Sequence, residues 1–146
     1  MPKIRSNYRI MLTMALAALL MMVKCGGGDT GTGAAGDTTR PIHGSALKFS
    51  DIKYNSFVLS WGEASDNITL VGSLVYKVVI ADSYDKLNLV SRANALTGEG
   101  IVSDWSSYLP SVSVSGLDSE TIYWLNVIVK DEAGNMEVYE IGRAHV

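Results

Sequence analysis

Apolar and polar residues alternate with a period of two along most of the chain after Ser45. This alternation places apolar side chains on one face of an extended strand and is typical of β-structure. Phe57, Leu59 and Trp61, for example, share one face of a single run. The pattern predicts strands over Ala46–Ile52, Ser56–Gly62, Leu74–Ala81, Val112–Leu117 and Thr121–Lys130, and the beginning of a last strand over Met136–Tyr139.

Residues typical of turns separate these runs, and the sequence contains no convincing amphipathic helix. Asp82–Leu96 is ambiguous, since its pattern fits either a short edge strand or one helical turn. About six or seven strands at this spacing predict an all-β sandwich of two antiparallel sheets. We place the predicted domain at residues 45–140.

Residues 1–24 form a leader of different composition. A basic start precedes Ile10–Val23, an apolar run of 14 residues that only Thr13 interrupts. Because a membrane-spanning helix needs about 20 apolar residues, the run fits the apolar core of an export signal better. An uncleaved N-terminal anchor is the alternative.

Between the leader and the domain, residues 25–44 are rich in Gly, Thr, Asp and Ala. Such a segment buries too little apolar surface to offset the entropy lost on ordering, so we expect a disordered tether. His43 lies in this tether and is expected to be a solvated loop residue.

Charge separates the leader from the rest of the chain. The sequence contains 12 Lys and Arg and 15 Asp and Glu, a formal net charge of −3. The leader holds four of the basic residues and no acidic one, which leaves a net charge of −7 for residues 25–146. A body this acidic argues against nucleic acid as a partner. With one Cys and both His outside the predicted domain, we expect no disulfide framework, no metal and no cofactor.

Cys25 directly follows the apolar run and precedes three glycines. This arrangement resembles the signal of bacterial lipoproteins, in which the cysteine is diacylated and becomes the new N-terminus. Lys24 departs from the usual motif, which has Gly or Ala at that position. The resemblance implies lipidation at Cys25, a membrane as partner, and a place in the bacterial cell envelope at the outer membrane or cell surface. A secreted or periplasmic location is the alternative.

The predicted domain contains five short motifs, which are Leu59-Ser60-Trp61, Ala64-Ser65-Asp66-Asn67, Tyr76-Lys77-Val78, Gly116-Leu117 followed by Thr121-Ile122-Tyr123, and Val129-Lys130-Asp131-Glu132-Ala133-Gly134-Asn135. Together they resemble the motifs of fibronectin type III modules from exported bacterial proteins, and this resemblance implies an immunoglobulin-like sandwich of about seven strands. Ser119 stands where these modules usually have Pro. The resemblance implies a core containing Leu59, Trp61, Tyr76, Leu117 and Tyr123. It also makes Tyr123 the tyrosine corner, with its hydroxyl bonded to backbone near Leu117.

The end of the chain carries a second resemblance. Back-translated with GAG for Glu140, Ile141–Val146 gives AGATCGGAAGAGCACACGTC, which resembles a common sequencing adapter. This implies a non-native tail over residues 141–146 and natural coding information that ends near Tyr139 within a longer protein. A genuine polar C-terminal tail is the alternative.

Two loops expected at one end of the sandwich carry candidate ligand side chains. Asp66, Asn67, Asp131 and Asn135, with Glu132 beside them, offer the hard oxygen atoms that Ca²⁺ prefers. The favoured explanation is turn chemistry, in which Asp and Asn cap backbone amides, because no calcium-loop motif accompanies them.

Trp105, Tyr108 and Trp124 are candidates for an aromatic platform that binds sugar or peptide, although packing on the sheet or partial surface cover is the favoured interpretation. The carboxylates of the domain are scattered over predicted loops, and no His accompanies them. Acid–base or nucleophilic catalysis needs placed partners, so no catalytic residue is predicted.

These features together predict a non-catalytic, lipid-anchored cell-envelope protein that displays the module for adhesion, recognition or spacing. A protein or a carbohydrate is the expected ligand. Two alternatives stay open: the chain is the N-terminal fragment of a larger secreted enzyme, such as a polysaccharide-degrading one, or it is part of a stalk of repeated modules. Fold analogy alone does not choose among them.

Overall fold

The structure is a computed structural model that describes Gly36–Val146. The predicted signal peptide over residues 1–24, Cys25 and the first part of the tether lie outside these residues. The strands are β1 (Lys48–Lys53), β2 (Ser56–Ser60), β3 (Val75–Ala81), β4 (Ile101–Ser107), β5 (Ser111–Ser115), β6 (Ile122–Lys130), β7 (Met136–Val138) and β8 (Gly142–His145). One short helix, α1, covers Val90–Asn94, and single 3₁₀ turns cover Val71–Ser73, Tyr84–Lys86 and Gly98–Gly100. Within Gly36–Val146, every helix is too short to cross a membrane.

The strands form two antiparallel sheets, which confirms the predicted all-β sandwich. One sheet has the order β1-β2-β5; in the other, β4, β3 and β6 lie side by side, and β7 and β8 both pair with β6. The alternating pattern did not reveal β4. Its pairing with β3 is interrupted by two register shifts, one between Tyr76 and Val78 and one between Val78 and Val79. A bulged strand does not keep a strict period of two.

The main core lies between the two sheets, where the alternating residues of facing strands meet. Phe57 and Leu59 of β2 are buried, while Val58 between them is half-buried. The Trp61 indole is 5% exposed and meets the Tyr108 ring edge-on, with 6.3 Å between ring centroids. Tyr139 is buried against the same core and donates its hydroxyl to the Gly62 carbonyl at 2.7 Å.

A second hydrophobic cluster lies on the outer face of the larger sheet. The long connection from β3 to β4 covers this face and supplies part of the cluster. Leu87 and Ala93 of this connection pack on Val79 and Ile128, and all four are fully buried. The ambiguous stretch Asp82–Leu96 therefore contains the 3₁₀ turn Tyr84–Lys86 and the short helix α1, and no edge strand.

Two buried polar side chains of the larger sheet hold this connection in place. Lys77 donates its ammonium group to the carbonyls of Asn94 and Leu96, each at 3.3 Å. Asn126 has no exposed surface and donates its side-chain amide to the Leu87 carbonyl at 3.1 Å. Buried polar groups are costly when unpaired. These hydrogen bonds give partners both to the two side chains of the sheet and to backbone carbonyls of the connection.

The N-terminal side of the domain begins earlier than Ser45. Pro41 is buried, and Ile42 and Ser65 exchange two backbone hydrogen bonds of 2.8 and 2.9 Å. Arg40 lies 3.6 Å from the carboxylate of Glu137. The composition of residues 25–44 indicated a tether as far as Gly44, yet long-range backbone contacts offset the ordering entropy of its last residues. Composition alone does not reveal such contacts.

The C-terminal side also extends beyond the predicted boundary at residue 140. Gly142–His145, within the predicted non-native tail, pairs with Ile122–Leu125 as β8. Ala144 is the buried side chain of this strand. Backbone pairing does not require particular side chains, so the adapter origin of these codons stays a prediction.

Replacing Trp61 tests the position of the core. We expect Trp61→Ala to lower the free energy of unfolding by about 3–5 kcal/mol, because it leaves a cavity between the sheets. Chemical denaturation followed by circular dichroism measures the loss. Leu70→Ala is the control, because Leu70 is 78% exposed and its loss should change stability by about 0.5 kcal/mol or less. A loss below about 1 kcal/mol for Trp61→Ala would contradict the core assignment.

Replacing Asn126 tests the attachment of the long connection. Asn126→Ala removes the donor to Leu87, and we expect a cost of about 1–3 kcal/mol from the unpaired buried carbonyl. The rate of amide hydrogen exchange should rise more in residues 82–100 than in β3 and β6, since local units open separately. Asn88→Ala is the control, since Asn88 bonds the Arg92 side chain near the surface. Equal exchange in the two variants would contradict this role.

Candidate functional site

Asp66 lies in the connection between β2 and β3, at what we call the loop end of the sandwich. One of its carboxylate oxygens accepts hydrogen bonds from the backbone amides of Thr69 at 2.8 Å and Ile68 at 3.0 Å. The Thr69 amide, and then that of Ile68, holds the pKa of Asp66 below its ordinary value, although partial desolvation opposes this shift. Asp66 is therefore an anion at neutral pH.

Asp131 directly follows β6 and begins the turn to β7. It is 3% exposed, and its two carboxylate oxygens accept hydrogen bonds from the backbone amide and side-chain amide of Asn135, at 2.7 and 2.8 Å. Gly134 has a φ of 94°, which favours glycine at this place in the turn. The adjacent Glu132 amide donates to the Thr69 hydroxyl at 3.3 Å, so the turn and the β2–β3 connection are joined.

Asp37 is a third carboxylate at the loop end, and no sequence motif pointed to it. Its carbonyl accepts a hydrogen bond from the Asn135 side chain at 2.9 Å, and one carboxylate oxygen accepts one from the Thr39 amide at 2.9 Å. Asp37 stands in a Gly- and Thr-rich segment, and its partner Asn135 is 98 residues away. No local pattern marks a contact of that range.

Asp37, Asp66 and Asp131 form what we call the acidic cluster. One carboxylate oxygen from each lies within 4.8 Å of the others. Of the other candidates, Asn135 supports the cluster through its hydrogen bonds, whereas Asn67 and Glu132 have exposed side chains. Turn chemistry, the favoured sequence interpretation, accounts for the bonded oxygens of Asp66 and Asp131.

Turn chemistry does not account for every oxygen of the cluster. One carboxylate oxygen of Asp37, Oδ2, and one of Asp66, Oδ1, are inaccessible to solvent and have no hydrogen-bond partner. Among the residues from Gly36 to Val146, the indole nitrogen of Trp61 is the other buried side-chain atom in this condition. Buried polar atoms are normally paired, and a buried anionic oxygen without a donor is costly.

The three aromatic candidates lie on opposite sides of the larger sheet. Tyr108 faces the main core and donates its hydroxyl to the Trp61 carbonyl at 2.8 Å. Trp105 and Trp124 belong to the outer cluster, where the Lys130 ammonium lies 4.1 Å from the Trp105 ring and the Tyr84 ring packs edge-on against Trp124. The three side chains do not form one platform. Trp105 and Tyr108 are three residues apart in extended backbone and therefore point to opposite faces of the sheet.

The structure places the five residues that the family resemblance implied as core between the sheets. Leu59, Trp61, Tyr76, Leu117 and Tyr123 are each at most 5% exposed. The hydroxyl of Tyr123 accepts a hydrogen bond from the Asp118 amide at 3.0 Å, one residue beyond Leu117. This is the geometry of a tyrosine corner.

Comparison with solved structures identifies the type of sandwich. The chain is similar to the sixth fibronectin type III domain of human fibronectin type III domain containing protein 3, with 11% identity and a TM-score of 0.51, covering 77% of this chain and 92% of that one. It is also similar to a myokine structure, with 13% identity and a TM-score of 0.48, covering 73% and 97%. No family model matches the chain, and no curated protein does.

At these identities the likeness shows the fold alone, and it agrees with the order of the strands. The fourth strand, β4, pairs with β3 and not with the β1-β2-β5 sheet, unlike the fourth strand of constant-type immunoglobulin domains. The domain is an immunoglobulin-like sandwich. More narrowly, it is a fibronectin type III-like domain.

Removing one hydroxyl tests the tyrosine corner. Tyr123→Phe leaves the Asp118 amide without its partner, and we expect it to lower the free energy of unfolding by about 0.5–1.5 kcal/mol. Tyr54→Phe is the matched control, because Tyr54 is 74% exposed and should lose almost nothing. Urea denaturation of both variants measures the difference. Equal stability of Tyr123→Phe and the original chain would contradict the corner.

Proposed function

We propose that the chain is a non-catalytic protein of the bacterial cell envelope. A lipid at Cys25 anchors it, and its fibronectin type III-like module serves adhesion, recognition or spacing. The observation that carries the proposal is the order of the parts: an apolar run that ends at a cysteine, a glycine-rich segment, and then one sandwich.

The segment between the proposed anchor and the module is short in sequence. Among the described residues, Asp37 already contacts the domain, and residues 26–36 separate it from Cys25 along the chain. A glycine-rich chain of that length has a root-mean-square reach of about 18 Å. The module would stand close to the membrane surface, where its end loops and sheet faces meet partners outside the cell.

The outer face of the β1-β2-β5 sheet supports a role in display. Ser50, Val58 and Ser113 are neighbours across its three strands, and Lys48, Ser60 and Ser111 form the next row. Four of these six side chains are exposed, and Val58 and Ser60 are half-buried. An exposed face rich in hydroxyl groups suits polar contacts with protein or carbohydrate, in contrast to the opposite outer face, which the β3–β4 connection covers.

A single substitution tests the anchor. Cys25→Ser removes the acylation site, and we expect the protein to move from the membrane fraction to the soluble fraction of lysed cells. Labelling with a radioactive fatty acid should mark the original chain and not the variant. Lys24→Ala is the matched control, because it approaches the usual lipoprotein motif and should keep both the label and the membrane association.

The alternative anchor predicts a different result. If the apolar run stays uncleaved and holds the chain in the membrane, Cys25→Ser would remain in the membrane fraction without a fatty-acid label on either protein. That outcome would contradict lipid anchoring. A labelled Cys25→Ser variant would contradict the assignment of the lipid to this cysteine.

A further inference from the structure

Strand β5 is a free edge of the smaller sheet. Within the described residues it pairs with β2 on one side and with no strand on the other. The pairing runs from Ser56 with Ser115 to Ser60 with Ser111 without a register shift. An antiparallel strand directs alternate backbone amide and carbonyl groups to its two sides, so a regular edge strand presents a row of unpaired groups. A further strand can add to this row.

The sequence of β5 lacks the features that normally keep an edge strand from pairing with another chain. In natural proteins these features are charged side chains, prolines within the strand and β-bulges. Residues 109–117 contain no charged residue. Pro110 directly precedes the strand, and Gly116, with a φ of 78°, directly follows it. An incoming strand would therefore meet neither a charge nor a bulge along Ser111–Ser115.

The other edge strands of the described domain are protected. β1 carries Lys48 and Lys53, and its pairing with β2 contains a register shift. β4 carries Asp104, and its pairing with β3 contains two register shifts. β7 and β8 are short, with three and four residues, and they contain Glu137 and Arg143 respectively. Among the described strands, β5 is thus the edge best suited to pairing with another chain.

The sequence of β5 reads the same in both directions, Ser-Val-Ser-Val-Ser. Two copies of the strand can therefore pair antiparallel about a two-fold axis at Ser113. In this register Ser111 of each copy lies opposite Ser115 of the other. Val112 of each copy lies opposite Val114 of the other. Every Ser then stays on the outer face and every Val on the core side, whereas a shift by one residue would reverse the faces.

The exposure of the strand agrees with this symmetric pairing. The three serines, Ser111, Ser113 and Ser115, are exposed. Val114 is 4% exposed in the main core, whereas Val112 is only partly buried against that core. Pairing would place Val114 of one copy beside Val112 of the other. The second copy would thereby cover apolar surface that Val112 leaves in water.

We propose that two copies of this chain pair through β5 and form a symmetric dimer. The two smaller sheets then become one sheet of six strands in the order β1-β2-β5-β5-β2-β1. The hydroxyl-rich outer face runs across both copies, which doubles the surface available for polar contacts. Pairing at β5 does not depend on the lipid at Cys25, so the dimer goes beyond the proposed function. Because the edge is about 17 Å long, the dimer is weak and forms at high protein concentration.

Disulfide crosslinking between copies tests the pairing. Each full-length variant carries Cys25→Ser and one new cysteine, which is then its only thiol, because the sequence contains one Cys. The protein is purified in detergent, treated with a mild oxidant and separated on a non-reducing gel. Ser113→Cys should form a linked dimer, because opposed residues have Cβ atoms about 4.5–5.5 Å apart and a disulfide needs about 3.5–4.5 Å. Its yield should rise with protein concentration.

Two further variants test the register. Ser111→Cys in one copy lies roughly 14 Å from the same position in the other, since the two are offset by four residues. Ser111→Cys alone and Ser115→Cys alone should therefore give roughly tenfold less dimer than Ser113→Cys, whereas an equal mixture of the two should link readily. Ser50→Cys is the matched control, because Ser50 is an exposed serine on the same face, two strands from the β5 edge.

A charge at the centre of the edge gives an independent readout. Ser113→Lys places two like charges opposite each other, and it should lower the yield of the Ser111→Cys and Ser115→Cys mixture roughly tenfold. Ser50→Lys should leave that yield unchanged. Circular dichroism should show that Ser113→Lys still folds, because a substitution at an exposed position changes stability little.

Three results would overturn the dimer. The first is a Ser113→Cys yield no higher than that of Ser50→Cys, which is expected if the edge stays free or takes a strand of another protein. The second is an equal yield from Ser111→Cys alone and Ser113→Cys, which indicates random collision or another register. The third is full crosslinking of the mixture in the presence of Ser113→Lys.

Discussion

Burial of both faces of the β3–β6 pair is the constraint on which the rest of the domain depends. The two strands pair over seven residues each, from Val75 with Lys130 to Ala81 with Trp124. One face meets the β1-β2-β5 sheet across the main core, and the other lies under the β3–β4 connection. Antiparallel sheets commonly leave one face in water, so this second cover is a specific feature of the chain.

The second cover explains why sequence reasoning succeeded in one part and failed in another. Alternation predicted β2 and β6 well, because their inward residues meet the main core, as Phe57, Leu59 and Leu125 do. It did not predict that Val79 and Ile128 on the other face would also be buried. That burial depends on where residues 82–100 pack, which is a tertiary contact and leaves no period in the sequence.

Lys77 and Asn126 are polar residues whose burial the alternating pattern also did not predict. In an alternating strand, a Lys or an Asn opposite the core face is expected to point into water. Here both are buried, and both donate to carbonyls of the connection. Their role became visible only once the fold had placed the connection over them, because the carbonyls that they contact lie 17 to 39 residues away along the chain.

The carboxylates of the loop end also show that long-range contacts leave no local pattern in the sequence. Asp66 and Asp131 were found from the sequence because each sits in a loop motif, and Asn135 because it closes the turn. Asp37 was not found, because the Asn135 side chain reaches it across 98 residues. The sequence therefore predicted two of the three carboxylates, and only the folded domain brings the third to them.

The C-terminal strands show how little side-chain information a pairing strand needs. Tyr139, the residue after β7, is buried, and its hydroxyl donates a hydrogen bond to the Gly62 carbonyl. A specific side chain therefore holds this segment against the core. In β8, Ala144 is the buried side chain, and Gly142 lies so close to Phe49 that an added Cβ would stand 2.6 Å from its ring. β8 thus adds backbone pairing with β6 and one small side chain, Ala144, to the main core, whereas Tyr139 is joined to that core by a large buried ring and a hydrogen bond.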